Sequence, residues 1–156
     1  MFHISDYCVV GFKSFGNIYK SDNKGNIMNV TAEKSAEMST IHDLLDVIVQ
    51  DIRKYLLELP VGSGHRRVSS MVYARLAESQ DTIYSMLMQL KRNIGGEFNS
   101  KGMAELVDLA IDQIVVVVRY YETNKDDLSP EVMEFLSDKI VAAKDIVQRL
   151  GKFEID

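Results

Sequence analysis

Cysteine, tryptophan and proline are scarce in this chain of 156 residues, which has one cysteine, no tryptophan and two prolines. The single cysteine, Cys8, excludes an internal disulfide bond and is typical of a reducing compartment. Three histidines and one cysteine are too few for a structural metal site, and no two of the histidines have ligand spacing. We therefore expect neither a metal ion nor another cofactor. The scarcity of proline favours long helices.

Long apolar runs and targeting signals are also missing. Residues 1–12 contain Asp6 and no basic leader, so we expect no signal peptide. The longest apolar run, residues 114–118, is far too short to cross a bilayer. These absences predict an intracellular, cytoplasmic protein that does not bind a membrane. If the protein is viral, the expected location is the cytoplasm of the host cell.

Charge is distributed unevenly along the chain, whose net charge is −5. Residues 1–102 carry 12 basic and 11 acidic side chains, whereas residues 103–156 carry 6 basic and 12 acidic ones. A surface that binds nucleic acid is therefore expected only in the first two thirds of the chain. The acidic last third is better suited to a basic protein partner.

Apolar residues recur at steps of three and four in four stretches of the chain. Such spacing places one apolar face along each of four helices, and the faces bury one another in a bundle. The four stripes are Met38, Ile41, Leu45, Ile48, Ile52, Tyr55 and Leu59; Val68, Val72, Leu76, Ile83, Leu87, Leu90 and Ile94; Met103, Val107, Ala110, Ile114, Val117 and Tyr121; and Val132, Leu136, Ile140, Ala143, Val147 and Leu150. The sequence thus predicts a mainly α fold, with a four-helix bundle over residues 31–156.

Turn-forming residues 21–26 separate two short β-prone pairs, Ile18-Tyr19 and Ile27-Met28. This pattern predicts a β-hairpin appendage over residues 1–30, with a third strand near residues 7–12. A lone hairpin is marginally stable in water. We therefore expect it to pack on the bundle or on a neighbouring subunit.

Capping residues and helix breakers set the predicted helix boundaries. The β-branched run at residues 114–118 could form a strand by propensity, but the apolar stripe continues on both sides of it and favours a helix. Proline ends a helix before it, Ser-Pro starts one, and glycine follows its end. The first helix is predicted to start at Thr31 or Ser39 and to end at Pro60, and the second to run from about His65 to Asn93. Residues 97–101 form a connector with Ser100 as cap, and the third helix ends near Glu122. The fourth helix is bounded by Ser129 and Gly151.

No constellation of residues indicates catalysis. The loop Gly62-Ser63-Gly64 precedes a helix, but the Lys-Ser/Thr pair of a phosphate-binding loop does not follow it. Cys8 has no identifiable base. His42 lies among acidic residues that could serve acid–base chemistry, although a solvated helix face is the simpler interpretation. We therefore expect a non-enzymatic protein.

Basic residues cluster at the start of the second helix. Arginines at a helix N-terminus oppose the helix dipole, and a bound phosphate backbone would offset that cost. The alternative is an ion pair with carboxylates of a neighbouring helix or subunit, such as Glu58 or Asp51. The candidate nucleic-acid-binding residues are His65, Arg66 and Arg67 after the glycine loop, Arg75 two turns later, and Lys91 and Arg92 near the helix end.

Residues 40–95 contain a pattern of leucines and basic residues: Leu56-Leu57-Glu58-Leu59, the run from Gly62 to Arg67, Leu76, Asp81, Met86-Leu87 and Lys91-Arg92. This pattern resembles the central helical hairpin of the small terminase subunit of large contractile-tailed phages. Arg66 stands where that family prefers proline, and residues 1–30 and 101–150 have no clear counterpart. The resemblance implies a non-enzymatic, ring-forming subunit that recognises viral DNA and regulates a packaging motor. It places residues 65–67 at the hairpin tip and residues 91–92 near its base.

A surplus of apolar positions beside the main stripes predicts a second apolar surface. These positions are Leu44, Val49, Leu56, Met71, Met86, Met88, Leu106, Leu109, Val115 and Val116. The leading hypothesis is a self-associating helical adaptor that forms a homo-oligomer. A more specific version of this hypothesis is a subunit that binds duplex DNA for viral packaging. The alternative is a small acidic regulatory or inhibitory protein that docks on another protein, and an enzyme with a site in the bundle core is a third option.

Overall fold

The computed structural model describes residues 27–155. Four helices dominate it: α1 Ala32–Leu56, α2 Gly64–Arg92, α3 Ser100–Asn124 and α4 Pro130–Gly151. Short loops join them, so consecutive helices run antiparallel. Helix α1 lies against α2 and α4, and α3 lies against the same two helices. The arrangement is a closed four-helix bundle, as the four apolar stripes predict.

Local capping explains where the helices begin. The side chains of Thr31, Ser63, Asn99 and Ser129 each accept a hydrogen bond from a backbone N–H in the first turn of the helix that follows. Such caps satisfy N–H groups that have no partner within the helix. Asn99 therefore replaces Ser100, the predicted cap. The first helix ends at Leu56, one turn before the predicted Pro60, because the backbone from Leu57 to Pro60 does not continue the α-helical hydrogen bonds.

A small antiparallel sheet joins the start of α1 to the loop between α2 and α3. Strand β1, Ile27–Asn29, pairs with strand β2, Glu97–Asn99, in a register that sets Met28 opposite Phe98. The fold is therefore a mainly α bundle with a small β element, as predicted. The predicted connector at residues 97–101 is wrong in detail, since its first three residues form β2. The predicted strands at Ile18-Tyr19 and at residues 7–12 lie outside the described residues.

The core lies along the bundle axis and consists largely of the predicted stripes. All the predicted apolar positions of α3 and α4 are buried, and the β-branched run at residues 114–118 is helical with only Val116 exposed. Three predicted stripe residues at the ends of their helices are more exposed: Tyr55 and Leu59 are half-buried and Ile94 is 51% exposed. Met28 and Val30 are buried in the same core, so the chain from β1 onward packs on the bundle.

Candidate functional site

The predicted basic cluster lies at the loop end of the bundle, where α1 meets α2. Gly62 has a φ of +80°, a left-handed conformation that glycine adopts without strain. Ser63 then caps α2 by accepting from the Arg66 backbone N–H at 3.1 Å, and its hydroxyl donates to the Pro60 carbonyl at 2.8 Å. A shallow cavity of about 330 Å³ results, lined by Gly62, Ser63, Arg66, Arg67 and Ser70.

Arg66 and Arg67 have different surroundings although they are adjacent. The half-buried Arg66 donates from Nη1 to the Leu59 carbonyl at 3.0 Å. This bond sets its positive charge beside the C-terminal end of α1, where the helix dipole favours a cation. Arg67 is exposed and forms no ion pair within residues 27–155. The suggested carboxylate partner Asp51 pairs instead with Lys139.

His65 is turned partly into the bundle. Its Nδ1 atom is buried and has no hydrogen-bond partner, and the same holds for the hydroxyl of the fully buried Ser69, one turn further along α2. An imidazole with one buried ring nitrogen offers little of its polar edge to a ligand outside. Of the three residues at the start of α2, Arg67 is therefore the one best placed to meet a partner.

The remaining predicted basic residues are spread along α2. Arg75 faces Glu78 on the next turn, with Nη1 and Oε2 at 3.5 Å and both side chains about half exposed. Lys91 and Arg92 are exposed in the last turn of α2. At 1.5 Å per residue they lie about 38 Å along the helix from Arg66 and Arg67. The six predicted residues thus form two separate basic regions joined by one helix.

A second surface, which sequence reasoning missed, is a groove between α1 and α4. Its volume is about 260 Å³. The apolar lining comes from Leu44, Val47 and Ile48 of α1 and Ala142 and Ile146 of α4, and the polar lining is Asp51, Asp138, Lys139 and Asp145. We call this surface the acidic groove. Val47 is 59% exposed, so aliphatic surface remains in contact with water there.

One end of the acidic groove is closed by large side chains. The rings of Tyr55 and Phe135 stack with centroids 3.9 Å apart. One turn inward on each helix, Lys139 Nζ lies 2.9 Å from Asp51 Oδ2, and it also lies 5.1 Å from the Phe135 ring centroid. Asp145, toward the other end, accepts from Arg149 at 2.8 Å. Asp138 forms no ion pair in the part of the chain that the structure describes.

The surplus apolar positions fall into three groups. Val49, Met86 and Val115 belong to the core, whereas Leu56, Met88 and Leu106 are packed against it and remain partly exposed. The exposed ones are Leu44, Met71, Leu109 and Val116, each at least 38% exposed. Leu44 was thus a usable signal for the acidic groove, but nothing in the sequence indicated that it faces α4.

Asp108, a carboxyl group outside both surfaces, has a strongly raised pKa. Burial raises the pKa of Asp108 on α3 to about 6, and the neighbouring charge of Asp112 adds to the shift. Its Oδ1 atom is buried without a hydrogen-bond partner. Asp46, part of the acidic group around His42, accepts from Gln80 of α2 at 2.7 Å and so takes part in the contact between α1 and α2.

Comparison of the chain with protein-family models, with curated proteins and with solved structures returned no match. The resemblance to small terminase subunits therefore stays a prediction. Across residues 27–155 no cluster of three or more histidine, cysteine or acidic side chains has a metal-binding arrangement. None of the helices within this range is both long and apolar enough to span a membrane.

Proposed function

We propose that this chain is a non-enzymatic, self-associating helical adaptor that binds other protein chains through the acidic groove. The observation that carries the proposal is the groove itself, an open cleft between two helices with an aliphatic lining and charged edges. Single exposed aliphatic residues are ordinary on protein surfaces. Aliphatic residues gathered in one groove between helices are typical of sites that receive a helix from a partner.

Solution mass tests this proposal. We expect the wild-type chain to exceed the 17.7 kDa monomer mass in light scattering at roughly 100 μM, a concentration that saturates micromolar contacts. Val47→Asp should lower that mass because it places a carboxylate on the groove lining. Val116→Asp is the matched control, since Val116 is 49% exposed on α3 and lies outside the groove. A wild-type chain that stays monomeric would overturn the self-association.

A second candidate function is the binding of duplex DNA, as in a small terminase-like packaging subunit. The observation in its favour is Arg67, an exposed cation without an ion pair among residues 27–155, beside the N-terminal N–H groups of α2. Helix N-termini and arginines both contact phosphates. Fluorescence anisotropy with labelled duplex DNA at low salt should then show binding that falls as salt rises.

The variant series for DNA binding separates the two basic regions. Arg67→Ala should weaken binding and reduce its salt dependence, because one phosphate contact is lost. Arg66→Ala should also disturb the loop, since its hydrogen bond to the Leu59 carbonyl disappears. Lys91→Ala and Arg92→Ala together report on the other end of α2. No anisotropy change at low salt with the wild-type chain would end this candidate.

A further inference from the structure

A short exposed stripe on α2 complements the acidic groove in both charge and length. The stripe consists of Arg67, Met71, Ala74 and Arg75, all exposed. Their spacing of four, three and one residues places them on one face of the helix. We call it the basic stripe. It presents an apolar centre, with Met71 38% exposed, between two arginines.

The acidic groove has the reciprocal arrangement. Its aliphatic lining lies between Asp138 and Asp51 at one end and Asp145 at the other. Two turns separate Asp138 from Asp145, about 11 Å along α4, and the arginines of the basic stripe are about 12 Å apart along α2. Three carboxylates line the groove. Lys139 pairs with Asp51 and Arg149 pairs with Asp145, so Asp138 supplies the negative charge without an ion pair among the described residues. On the basic stripe Arg75 pairs with Glu78, so Arg67 supplies the corresponding positive charge. Methionine is flexible enough to fill such an irregular apolar cleft.

The two surfaces lie on different sides of the same molecule. The groove opens between α1 and α4, whereas α2 packs against α1 and α3 and turns the basic stripe to solvent. The stripe of one molecule therefore does not fill its own groove. A second copy of the chain can supply it, and the pair of copies then still has one free groove, on one copy, and one free stripe, on the other.

We propose that the basic stripe of one copy binds in the acidic groove of the next, so that copies associate head to tail. This proposal rests on the proposed function, since it names the surfaces through which the chain self-associates. A heterologous contact of this kind builds an open chain or, if the rotation between copies closes, a ring. The two-turn contact is small by the standard of stable interfaces, so we expect a reversible, salt-sensitive association.

Two charge reversals test the assignment, one on each surface. Asp138→Arg places a cation at the edge of the groove. Arg67→Glu places an anion at the end of the stripe, in the first turn of α2, where the helix dipole stabilises an acid. Each variant alone should fall to the monomer mass of 17.7 kDa in light scattering at roughly 100 μM. Glu105→Arg on α3 and Arg92→Glu at the far end of α2 are matched controls that should keep the wild-type mass.

Mixing the Arg67→Glu chain with a Val47→Asp chain distinguishes a head-to-tail contact from a symmetric one. The Arg67→Glu chain keeps an intact groove and the Val47→Asp chain keeps an intact stripe. An equimolar mixture should therefore form a dimer of twice the monomer mass and nothing larger, because the two remaining surfaces both carry an added carboxylate and repel each other. Circular dichroism of each variant checks that it is folded.

The outcomes separate this inference from the proposed function. A wild-type oligomer whose mass survives both reversals overturns the head-to-tail contact and leaves the adaptor function standing. Monomeric variants that do not pair when mixed also overturn it, because a symmetric interface gives that result. A wild-type chain that is monomeric at the same concentration overturns both. Monomeric variants that pair only as a mixed dimer support both.

Discussion

Two antiparallel helix pairs on opposite sides of the bundle pack differently. Between α2 and α3 the approach is close: the fully buried Ser79 hydroxyl donates to the backbone carbonyl of the fully buried Ala110 at 3.4 Å. Between α1 and α4 the stacked rings of Tyr55 and Phe135 occupy the contact, and the acidic groove opens beside them. Small side chains thus let one pair of helices close, while large ones hold the other pair apart.

The difference in packing bears on the proposed function. The α2–α3 contact is completed within the chain, with a further hydrogen bond from Thr82 Oγ1 to Gln113 Oε1 at 2.8 Å. The α1–α4 contact leaves aliphatic surface open to water at Leu44 and Val47. Covering that surface releases free energy in proportion to the apolar area removed from water. A partner chain that covers Leu44 and Val47, as we propose, therefore gains this free energy at the α1–α4 pair.

The largest expected effect comes from two adjacent residues of α4, one buried and one exposed. Ile140 is 2% exposed and Val141 is 63% exposed. Ile140→Asp should abolish cooperative folding, because an unpaired buried carboxylate costs several kcal/mol, on the order of the total stability. Val141→Asp should change the free energy of unfolding by less than about 0.5 kcal/mol. Urea denaturation followed by circular dichroism measures both, and equal stability of the two variants would contradict the observed face of α4.

Enlarging one alanine at each helix pair compares closed and open packing directly. Ala110→Leu should destabilise the protein by about 1–3 kcal/mol, since the extra atoms must displace α2. Ala142→Leu should cost far less, because Ala142 is half-buried and lines the acidic groove, where the added atoms have room. Thermal denaturation of the two variants gives the comparison. An Ala142→Leu cost equal to that of Ala110→Leu would mean that the groove is closed in solution.

Local sequence patterns predicted the fold because each helix carries its own signal. Ile140 and Leu87 lie at stripe positions, and both are buried. Strand β2 was missed because a strand of three residues is too short to show alternating polar and apolar residues, and its partner strand lies about 70 positions away in the sequence. Asn99 and Ser100 are both good caps, so sequence could not choose between them.

The candidate site was less predictable because it depends on distant residues. The acidic groove is lined by residues from the ranges 44–51 and 138–146. No local sequence pattern indicates which exposed aliphatic side chains come together in the fold. The sequence predicted that a phosphate, or a carboxylate such as Glu58 or Asp51, offsets the cost of placing Arg66 at the start of α2. The observed hydrogen bond of Arg66 is to the Leu59 carbonyl, a backbone atom that sequence reasoning did not consider.

A smaller effect is expected from pH at Asp108, outside both helix-pair surfaces. Its pKa is about 6 in the folded chain against an ordinary 3.8, so the folded state holds this proton more tightly than the unfolded state. The stabilisation from this proton is complete below about pH 3.8 and is lost as pH rises through 6. Asp108→Asn should therefore stabilise the protein at pH 7.5 by about 1 kcal/mol, discounted because the group is partly solvated.

Two observations check the assignment of this pH dependence. The stabilisation by Asp108→Asn should shrink toward zero in urea denaturation at pH 4, where Asp108 of the folded chain carries its proton. Asp112→Asn should reproduce only part of the effect, because burial outweighs the Asp112 charge as the cause of the raised pKa. A stabilisation by Asp108→Asn that is the same at pH 4 and 7.5 would show that the carboxyl group is not titrating in this range.

The smallest expected effect concerns the ion pair at the closed end of the acidic groove. Lys139 and Asp51 are 20% and 41% exposed, with Nζ and Oδ2 2.9 Å apart. Lys139→Met keeps the aliphatic stem against Phe135 and removes the charge, so we expect a loss of about 0.5 kcal/mol that fades in high salt. Lys125→Met, which breaks the more exposed pair with Glu122, is the control and should cost less. A Lys139→Met loss above about 2 kcal/mol would mean that the pair behaves as a buried one and that electrostatics, more than the ring stack, holds α1 and α4 in place.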